Sequence, residues 1–553
     1  MSRMQKRTGA TALVEGLVKA GVEVIFGYPG GNVLDVFDAV RSAKLRFVLG
    51  RHEQGCVHMA DGYARTLGRP GVVLVTSGPG LTNTITGLGC ANMDGVPMVL
   101  VCGQVPLDEI GTDAFQEADT VGLTRAVSKH NFLVKSADEI PETIAQAFYI
   151  ATHGKPGPVV IDVPRDCQRA VCTAKHPERV CLRAYHPESY ATPREVNRLA
   201  KLLNEAKRPL IYAGGGVIAA DASADVVALA KKAEIPVATT MTGIGSIDER
   251  EPLALGMSGI YGTERANRAI AEADVILALG VRFNDRTTGA AKKFAPKAKI
   301  VHVDCDASSI NKNLTVDLGI VADVKELLTT VNSRIHPARH EEWVEALSSH
   351  ATGMSRPLWE AQQRGRDIPV AYHSVAQQRG RDISVACDKK SAIRFPLDVI
   401  VATDVGEHQL WAVHNIPHVY PRHFLVSGGM GAMGFGIPAA IGAAIARPDH
   451  PVVALVGDGG AQMTAEELIV AVQEKLAVTF VVFVNRTLGL VRQMQKDDFG
   501  GRYMATDLLC PDFVQLARSY GLSGVRVKGL AGLDAALSKS MRAKRPTLLE
   551  VTL

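Results

Sequence analysis

The sequence predicts three α/β domains, each a doubly wound parallel sheet, and three observations carry that expectation. Apolar runs of strand length recur without alternation, which marks strands covered by helices on both faces. A segment of helical periodicity follows each run. The runs fall into three groups, separated near 172–193 and 332–396, and 553 residues exceed what one hydrophobic core accommodates. The expected domains are 1–180, 190–335 and 396–553, with 336–395 as a linker.

In the first group the strand runs are 22–26, 72–76, 98–102 and 159–163. The second holds 210–213, 275–279 and 299–303, and the third 452–456 and 478–484. Residues 8–20 have amphipathic helical spacing rather than the apolar core of a signal segment. The most apolar stretch, 432–446, is 15 residues long and carries Pro438, so no bilayer span is expected. Apolar residues make up 46% and charged residues 21%, a globular balance that argues against disorder. The net charge of +4 and the lack of a basic cluster argue against a nucleic-acid or membrane-surface partner. Nine scattered cysteines without CxxC point to a reduced, cytoplasmic protein with no structural zinc. Nothing near Cys387 or Cys510 marks a nucleophile. The segment 361–371 recurs at 376–386 with one mismatch, which reads as a tandem duplication in a polar linker.

The strongest local signal for chemistry starts at Val452. The run VVALV ends in Gly457-Asp458-Gly459, a helix is expected over 464–475, and VTFVVFV ends in Asn485-Arg486-Thr487. A right-handed crossover puts both strand ends on one sheet edge, where open α/β sheets bind ligands. Asp458, Asn485 and a main-chain carbonyl at Thr487 form a hard oxygen set suited to Mg²⁺ with phosphate. Gly-Asp-Gly alone reads as a tight turn; the paired Asn485 shifts the reading toward a cation. Gly429 to Gly434 matches G-x-G-x-x-G after a strand, so a nicotinamide dehydrogenase competes for that segment. Glu53 falls near a helix start, where a lone glutamate is ordinarily a solvated first-turn residue. The loops at Pro29-Gly30 and Ser77-Gly78-Pro79-Gly80 follow strands and are no Walker A, since no Gly-Lys-Ser/Thr follows.

Together these residues resemble the thiamine diphosphate (ThDP) enzymes, and specifically the acetohydroxyacid (acetolactate) synthase catalytic subunits. The segments are FGYPGG, RHEQG, SGPGLTN, GTDAFQE, SKHNFLV, KPGPVVIDVP, GVRFNDRTTG, DVGEHQLW, SGGMGAMGFGIPAAIGA and GDG…N, in family order along nearly the whole chain. The resemblance implies pyrimidine-binding, central FAD-binding and diphosphate-binding domains, with the cofactor held between two chains. It implies a homodimer or homotetramer, and it leaves room for a regulatory small subunit.

It assigns Glu53 to the N1′ nitrogen of the cofactor's pyrimidine, where a carboxyl able to hold a proton is needed. Met433 would hold the cofactor bent. ThDP would contact Pro29, Gly30, Asn83, Gly406, Glu407, His408, Gly431, Gly459, Gly460, Leu488 and Gly489, and Asp458, Asn485 and Thr487 would hold Mg²⁺. Arg286 would grip the acceptor's carboxylate, with Phe115, Gln116 and Lys129 around it. FAD would be structural, on Lys155, Gly214, Gly215, Thr240, Arg282, Asp304 and Asp323. The implied reaction decarboxylates pyruvate and joins the fragment to pyruvate or 2-oxobutyrate, using the cofactor as electron sink. It is the first common step of branched-chain amino acid biosynthesis.

Some positions depart from the family pattern. Glu407 replaces a Gln beside the diphosphate, and like charges about 4 Å apart repel by up to ~4 kcal/mol at an effective dielectric near 20. Met494 stands where a Trp favours 2-oxobutyrate, and Asn284, Tyr261 and Lys155 replace an Asp, a His and an Arg around the flavin. The family's closing tail has no counterpart after TLLEVTL. Competing readings keep ThDP with another carbanion fate, as in sulfoacetaldehyde acetyltransferase or pyruvate oxidase, or make the chain a weakened paralogue or scaffold. Retention of Glu53, Asp458 and Asn485 speaks against a scaffold.

Overall fold

Three six-stranded sheets, each with every neighbouring pair parallel, build the protein. The computed structural model describes residues 7–348, 393 and 395–553. The first sheet holds β1 (Val24–Gly27), β2 (Arg46–Leu49), β3 (Gly71–Val75), β4 (Met98–Gln104), β5 (His130–Leu133) and β6 (Pro158–Pro164). Its order is β2-β1-β3-β4-β6-β5. The second holds β7 (Pro209–Ala213), β8 (Val237–Thr239), β9 (Ala254–Met257), β10 (Val275–Leu279), β11 (Lys299–Asp304) and β12 (Leu318–Val321), in the order β12-β11-β10-β7-β8-β9. The third holds β13 (Ile400–Thr403), β14 (Phe424–Leu425), β15 (Val452–Gly457), β16 (Val478–Val484), β17 (Ser523–Lys528) and β18 (Thr547–Thr552), in the order β14-β13-β15-β16-β18-β17.

The unbroken apolar runs are buried at every position in β3, β4, β6, β7, β10 and β16, as expected of strands with helices on both faces. The run at 22–26 starts as strand only at Val24, because the Val22 N–H still closes the preceding helix on Leu17 O. The helix expected over 464–475 is instead two, Asp458–Met463 and Leu468–Gln473, joined by the turn Ala465–Glu467. Thr464 breaks it: its backbone, at φ −141° and ψ 27°, is not helical, and its hydroxyl donates to Gly434 O at 3.0 Å. From the span read as linker, the helix Glu341–Ser348 folds onto the central domain, where buried Trp343 donates its indole N–H to Pro209 O. The repeat at 361–386 lies outside the described residues.

The first and third domains share one apolar cluster, in which Met59, Tyr63, Phe435, Ala439 and Ala443 meet. The helices Glu53–Leu67 and Gly436–Ala446 cross there at bare backbone. A Cβ on Gly442 would lie 1.9 Å from Met59 O, and one on Gly62 2.2 Å from Ala439 O. Gly442→Ala is therefore expected to cost ~1–3 kcal/mol of overpacking strain and to lower the urea midpoint; an unchanged midpoint would contradict this packing.

A buried ionic junction ties all three domains. Arg65 bridges Asp61 and Asp94, whose side chains are fully buried. Asp94 also accepts from Arg282 of the central domain and, at 2.8 Å, from the Gly428 N–H of the third. Removing one partner from such a set strands a buried charge.

Candidate active site

In the third domain β15 and β16 run in register to Gly457 opposite Phe483, so the residues after each strand meet at one edge. Asp458 opens a helix there and is 2% exposed. One carboxylate oxygen accepts from its own Gly459 N–H at 2.9 Å. The other accepts from the N–H of Asn485 at 3.1 Å and of Arg486 at 2.6 Å, and the Cys510 thiol lies 3.4 Å away. Asn485 Oδ1 takes the Thr487 N–H at 3.0 Å, and Arg486 adopts φ +57°, which turns the chain sharply. Asp458 thus shapes the loop that brings the Asn485 amide and the Thr487 carbonyl beside it.

These residues line a cavity of about 160 Å³ with Gly406, Glu407, His408, Met433, Gly459, Gly460, Leu488 and Gly489. Glycine matters at two positions: a Cβ on Gly459 would meet Leu488 at 2.9 Å and the Met433 methyl at 3.1 Å, and one on Gly489 would meet Glu407 at 2.5 Å. His408 Nε2 is buried with no partner among the described residues, and burial pushes the imidazole down to about 4. A neutral, unsatisfied ring nitrogen facing a cavity awaits a polar ligand atom. Among the described residues no three His, Cys, Asp or Glu side chains form a metal cluster; what Asp458, Asn485 and Thr487 offer a cation is a carboxylate, an amide and a carbonyl. That oxygen-rich set fits Mg²⁺.

Gly431 does not line this cavity; it turns the loop before Met433 with φ +65°. Asp404 holds that loop from beneath. Its buried carboxylate accepts the N–H of Gly434 at 3.0 Å and of Gly436 at 3.1 Å. Burial pushes the Asp404 carboxyl up to about 6, against the pull of these main-chain donors. Sequence reading missed Asp404, because an acid one residue past a strand signals nothing until its partners, 30 or more positions away, are known.

Glu53 is the first residue of its helix and is held by Asn83, whose Nδ2 donates at 2.9 Å. Gly30 packs against Thr76, and Pro29 is exposed. Among the described residues none of the first domain lines the 160 Å³ cavity, and Glu53 is not on its wall. Phe115 is 86% exposed, beside Gln116 at φ +63°. Arg286 is exposed with Asp285 at 3.9 Å, the surface pair that its neighbours permit. Lys129 is engaged elsewhere: its ammonium caps Ile150 O and His153 O and lies over the Tyr185 ring. Burial pushes it down to about 8. One chain therefore does not gather Arg286, Lys129, Phe115 and Gln116 in the cavity.

A larger cleft, about 360 Å³, opens at the carboxyl ends of the central strands and is walled by all of Lys155, Gly215, Thr240, Arg282, Asp304 and Asp323. Gly214 stays behind it, packed where a Cβ would strike Gly280 O at 2.2 Å. Asp304 ends β11, the place where such folds hold a ribose hydroxyl, and burial pushes it up to about 6. Asp323 is partly spent capping the helix Val324–Asn332, and Arg282 on Asp94.

Comparison with known proteins identifies the fold. The N-terminal TPP (thiamine pyrophosphate) binding domain of thiamine pyrophosphate enzymes matches 7–123, their central domain 196–331, and their C-terminal TPP binding domain 404–551. The chain is 41% identical to a probable acetolactate synthase large subunit of Methanocaldococcus jannaschii, over 99% of this chain and 92% of that one. It is 40% identical to the acetolactate synthase large subunit of Haemophilus influenzae, over 98% and 93%. It is 39% identical to the isozyme 3 large subunit of Escherichia coli, over 99% and 95%. The chain belongs to the acetolactate synthase large-subunit family.

Membership corrects one competing reading. In this acetolactate synthase family chain the glycine run 429–434 marks no nicotinamide site, and the Gly434 N–H is taken by Asp404. Thiamine diphosphate is the cofactor of its domains. Glu407 does not turn away from the cavity: its Oε2 lies 3.5 Å from Asn485 Nδ2. Two charges about 4 Å apart at a half-screened site repel by a few kcal/mol at most. Glu407→Gln is thus expected to tighten cofactor binding by about tenfold, ~1.4 kcal/mol. Titration of protein fluorescence with cofactor at fixed Mg²⁺ checks it, and equal or weaker binding would refute the repulsion.

Proposed function

We propose that this chain decarboxylates pyruvate and joins the two-carbon fragment to a second 2-oxoacid, pyruvate or 2-oxobutyrate, to give 2-acetolactate or 2-aceto-2-hydroxybutyrate. The observation that carries the reading is the Asp458, Asn485 and Thr487 oxygen set beside Met433, in a chain about 40% identical to named acetolactate synthases. Thiamine diphosphate, when bound, supplies a ring that accepts the electrons released with CO₂. Asp458, Asn485 and the Thr487 carbonyl would hold Mg²⁺ against its diphosphate. Gly406, His408, Gly459, Gly460, Leu488 and Gly489 would face the diphosphate. Glu53 would hold a proton at the pyrimidine nitrogen, and Met433 would fill the space beneath the bent cofactor.

Glu53 lies off the wall of the cavity in its own chain, which supports a working unit of at least a homodimer. Relatives named as large subunits support a small regulatory partner. Among the described residues no helix is long and apolar enough to cross a membrane. FAD would occupy the 360 Å³ cleft, with Asp304 toward its ribose and Lys155 and Arg282 toward its phosphates. The deciding experiment incubates pure protein with pyruvate, Mg²⁺ and thiamine diphosphate, with and without FAD, and assays acetolactate. Acetolactate supports the reading; release of acetaldehyde instead, or of acetyl phosphate when phosphate and oxygen are supplied, would overturn it.

A further inference from the structure

Glu467 reaches out of the third domain into the first. It ends the turn Ala465–Glu467 and is fully buried. Both of its carboxylate oxygens lie 3.1 Å from the Arg51 N–H, and Oε1 also accepts the His52 N–H at 2.9 Å. These amides precede the helix Glu53–Leu67, where main-chain donors have no helical partner. A carboxylate suits such a helix start, because it takes up orphan donors and meets the positive end of the dipole. Here the acceptor stands 415 positions further along the chain. Gly55 admits it: a Cβ there would lie 2.1 Å from Glu467 Oε1. The same stretch of main chain leads directly into Glu53, whose carboxyl is held from its other side by Asn83.

We infer that Glu467 is a positioning residue, which holds the Arg51–His52 main chain and thereby aims the Glu53 carboxyl. The inference rests on the role proposed for Glu53. It also joins two half-sites. The segment that begins with Asp458 and shapes the cation loop ends, at Glu467, on the helix start that carries Glu53. A shift at the diphosphate side of one chain is thus passed to its pyrimidine side. The groups facing the carboxylate are Arg51, His52, Glu466 and the buried Cys56 thiol. Burial pushes Glu467 up to about 7, and the two main-chain donors hold it down.

The test reads hydrogen–deuterium exchange at the thiazolium C2 of cofactor bound to the full enzyme, quenched in acid and followed by NMR, together with cofactor affinity. In Glu467→Gln one oxygen is replaced by a donor that faces a main-chain N–H. Misplacement on the 1 Å scale then slows exchange by about 10–100-fold, while affinity for the cofactor stays within about threefold. Glu467→Asp, which keeps the charge on a shorter arm, recovers part of the rate. A folded Glu467→Gln enzyme exchanging at the parental rate overturns the inference. Glu53→Gln run in parallel separates the two claims. If that variant exchanges normally, the role of Glu53 itself is wrong; if it is slow while Glu467→Gln is normal, only the positioning role fails. Should Glu467→Gln not fold, Gly55→Ala displaces the carboxylate without removing it, and parental exchange there also overturns the inference. Unfolding of both variants would make Glu467 a purely structural contact, which likewise defeats it.

Discussion

Glu53→Gln is expected to lower acetolactate formation by ~10²–10⁴-fold, the contribution of a positioned proton-transfer group. Gln has the size of Glu and still accepts the 2.9 Å hydrogen bond from Asn83, so the helix start should survive. What the amide lacks is the capacity to take and return a proton at neutral pH. Initial rates at saturating Mg²⁺ and thiamine diphosphate, with circular dichroism to confirm the fold, measure the effect. A variant as active as the parent would remove Glu53 from the chemistry and the proposed mechanism with it.

Asp458→Ala should be at least as severe, but on binding. The substitution deletes the carboxylate proposed to hold the cation and also the acceptor for the N–H groups of Gly459, Asn485 and Arg486. Each buried donor left unpaired costs ~1–3 kcal/mol, so the loop that presents Asn485 and the Thr487 carbonyl loses its shape as well. Magnesium-dependent affinity for thiamine diphosphate is expected to fall about 100-fold or more, at least ~2.7 kcal/mol. Equilibrium dialysis with and without Mg²⁺ reads it, and tight magnesium-dependent binding by the variant would refute the site.

The two lesions sit on opposite halves of the proposed dimeric site, so mixing them is informative. A heterodimer of the Glu53→Gln and Asp458→Ala chains rebuilds one intact site from the undamaged half of each. Random association should restore about a quarter of the parental activity, whereas a site made within one chain would stay dead in any mixture.

Much of this was legible without coordinates because it is local. Unbroken apolar runs such as VVALV and VTFVVFV can only be buried strands, and residues at the ends of consecutive parallel strands must share an edge. Asp458 and Asn485 could therefore be paired from spacing alone, and they are joined through the Asn485 N–H. The helix after Asp458 was misplaced for a nonlocal reason: Thr464 is pulled out of helical geometry by Gly434 O, which periodicity does not register.

Long-range carboxylates were the blind spot. Asp404 and Glu467 look like ordinary strand-end and helix-start acids in the sequence, and only tertiary structure shows them as acceptors for the Gly434 and Gly436 amides and for the Arg51 and His52 amides. The same holds for Lys129, whose residue type suits a substrate carboxylate but whose ammonium is spent on two helix-end carbonyls. Sequence by itself determined the three sheets, the meeting of Asp458 and Asn485 at the strand ends and the glycine-lined turns, since each follows from near-neighbour sterics and hydrophobic patterning. Tertiary structure decided which carboxylate holds which loop and which half of the site one chain leaves open. Those outcomes depend on contacts between residues from 30 to more than 400 positions apart, which no local pattern encodes.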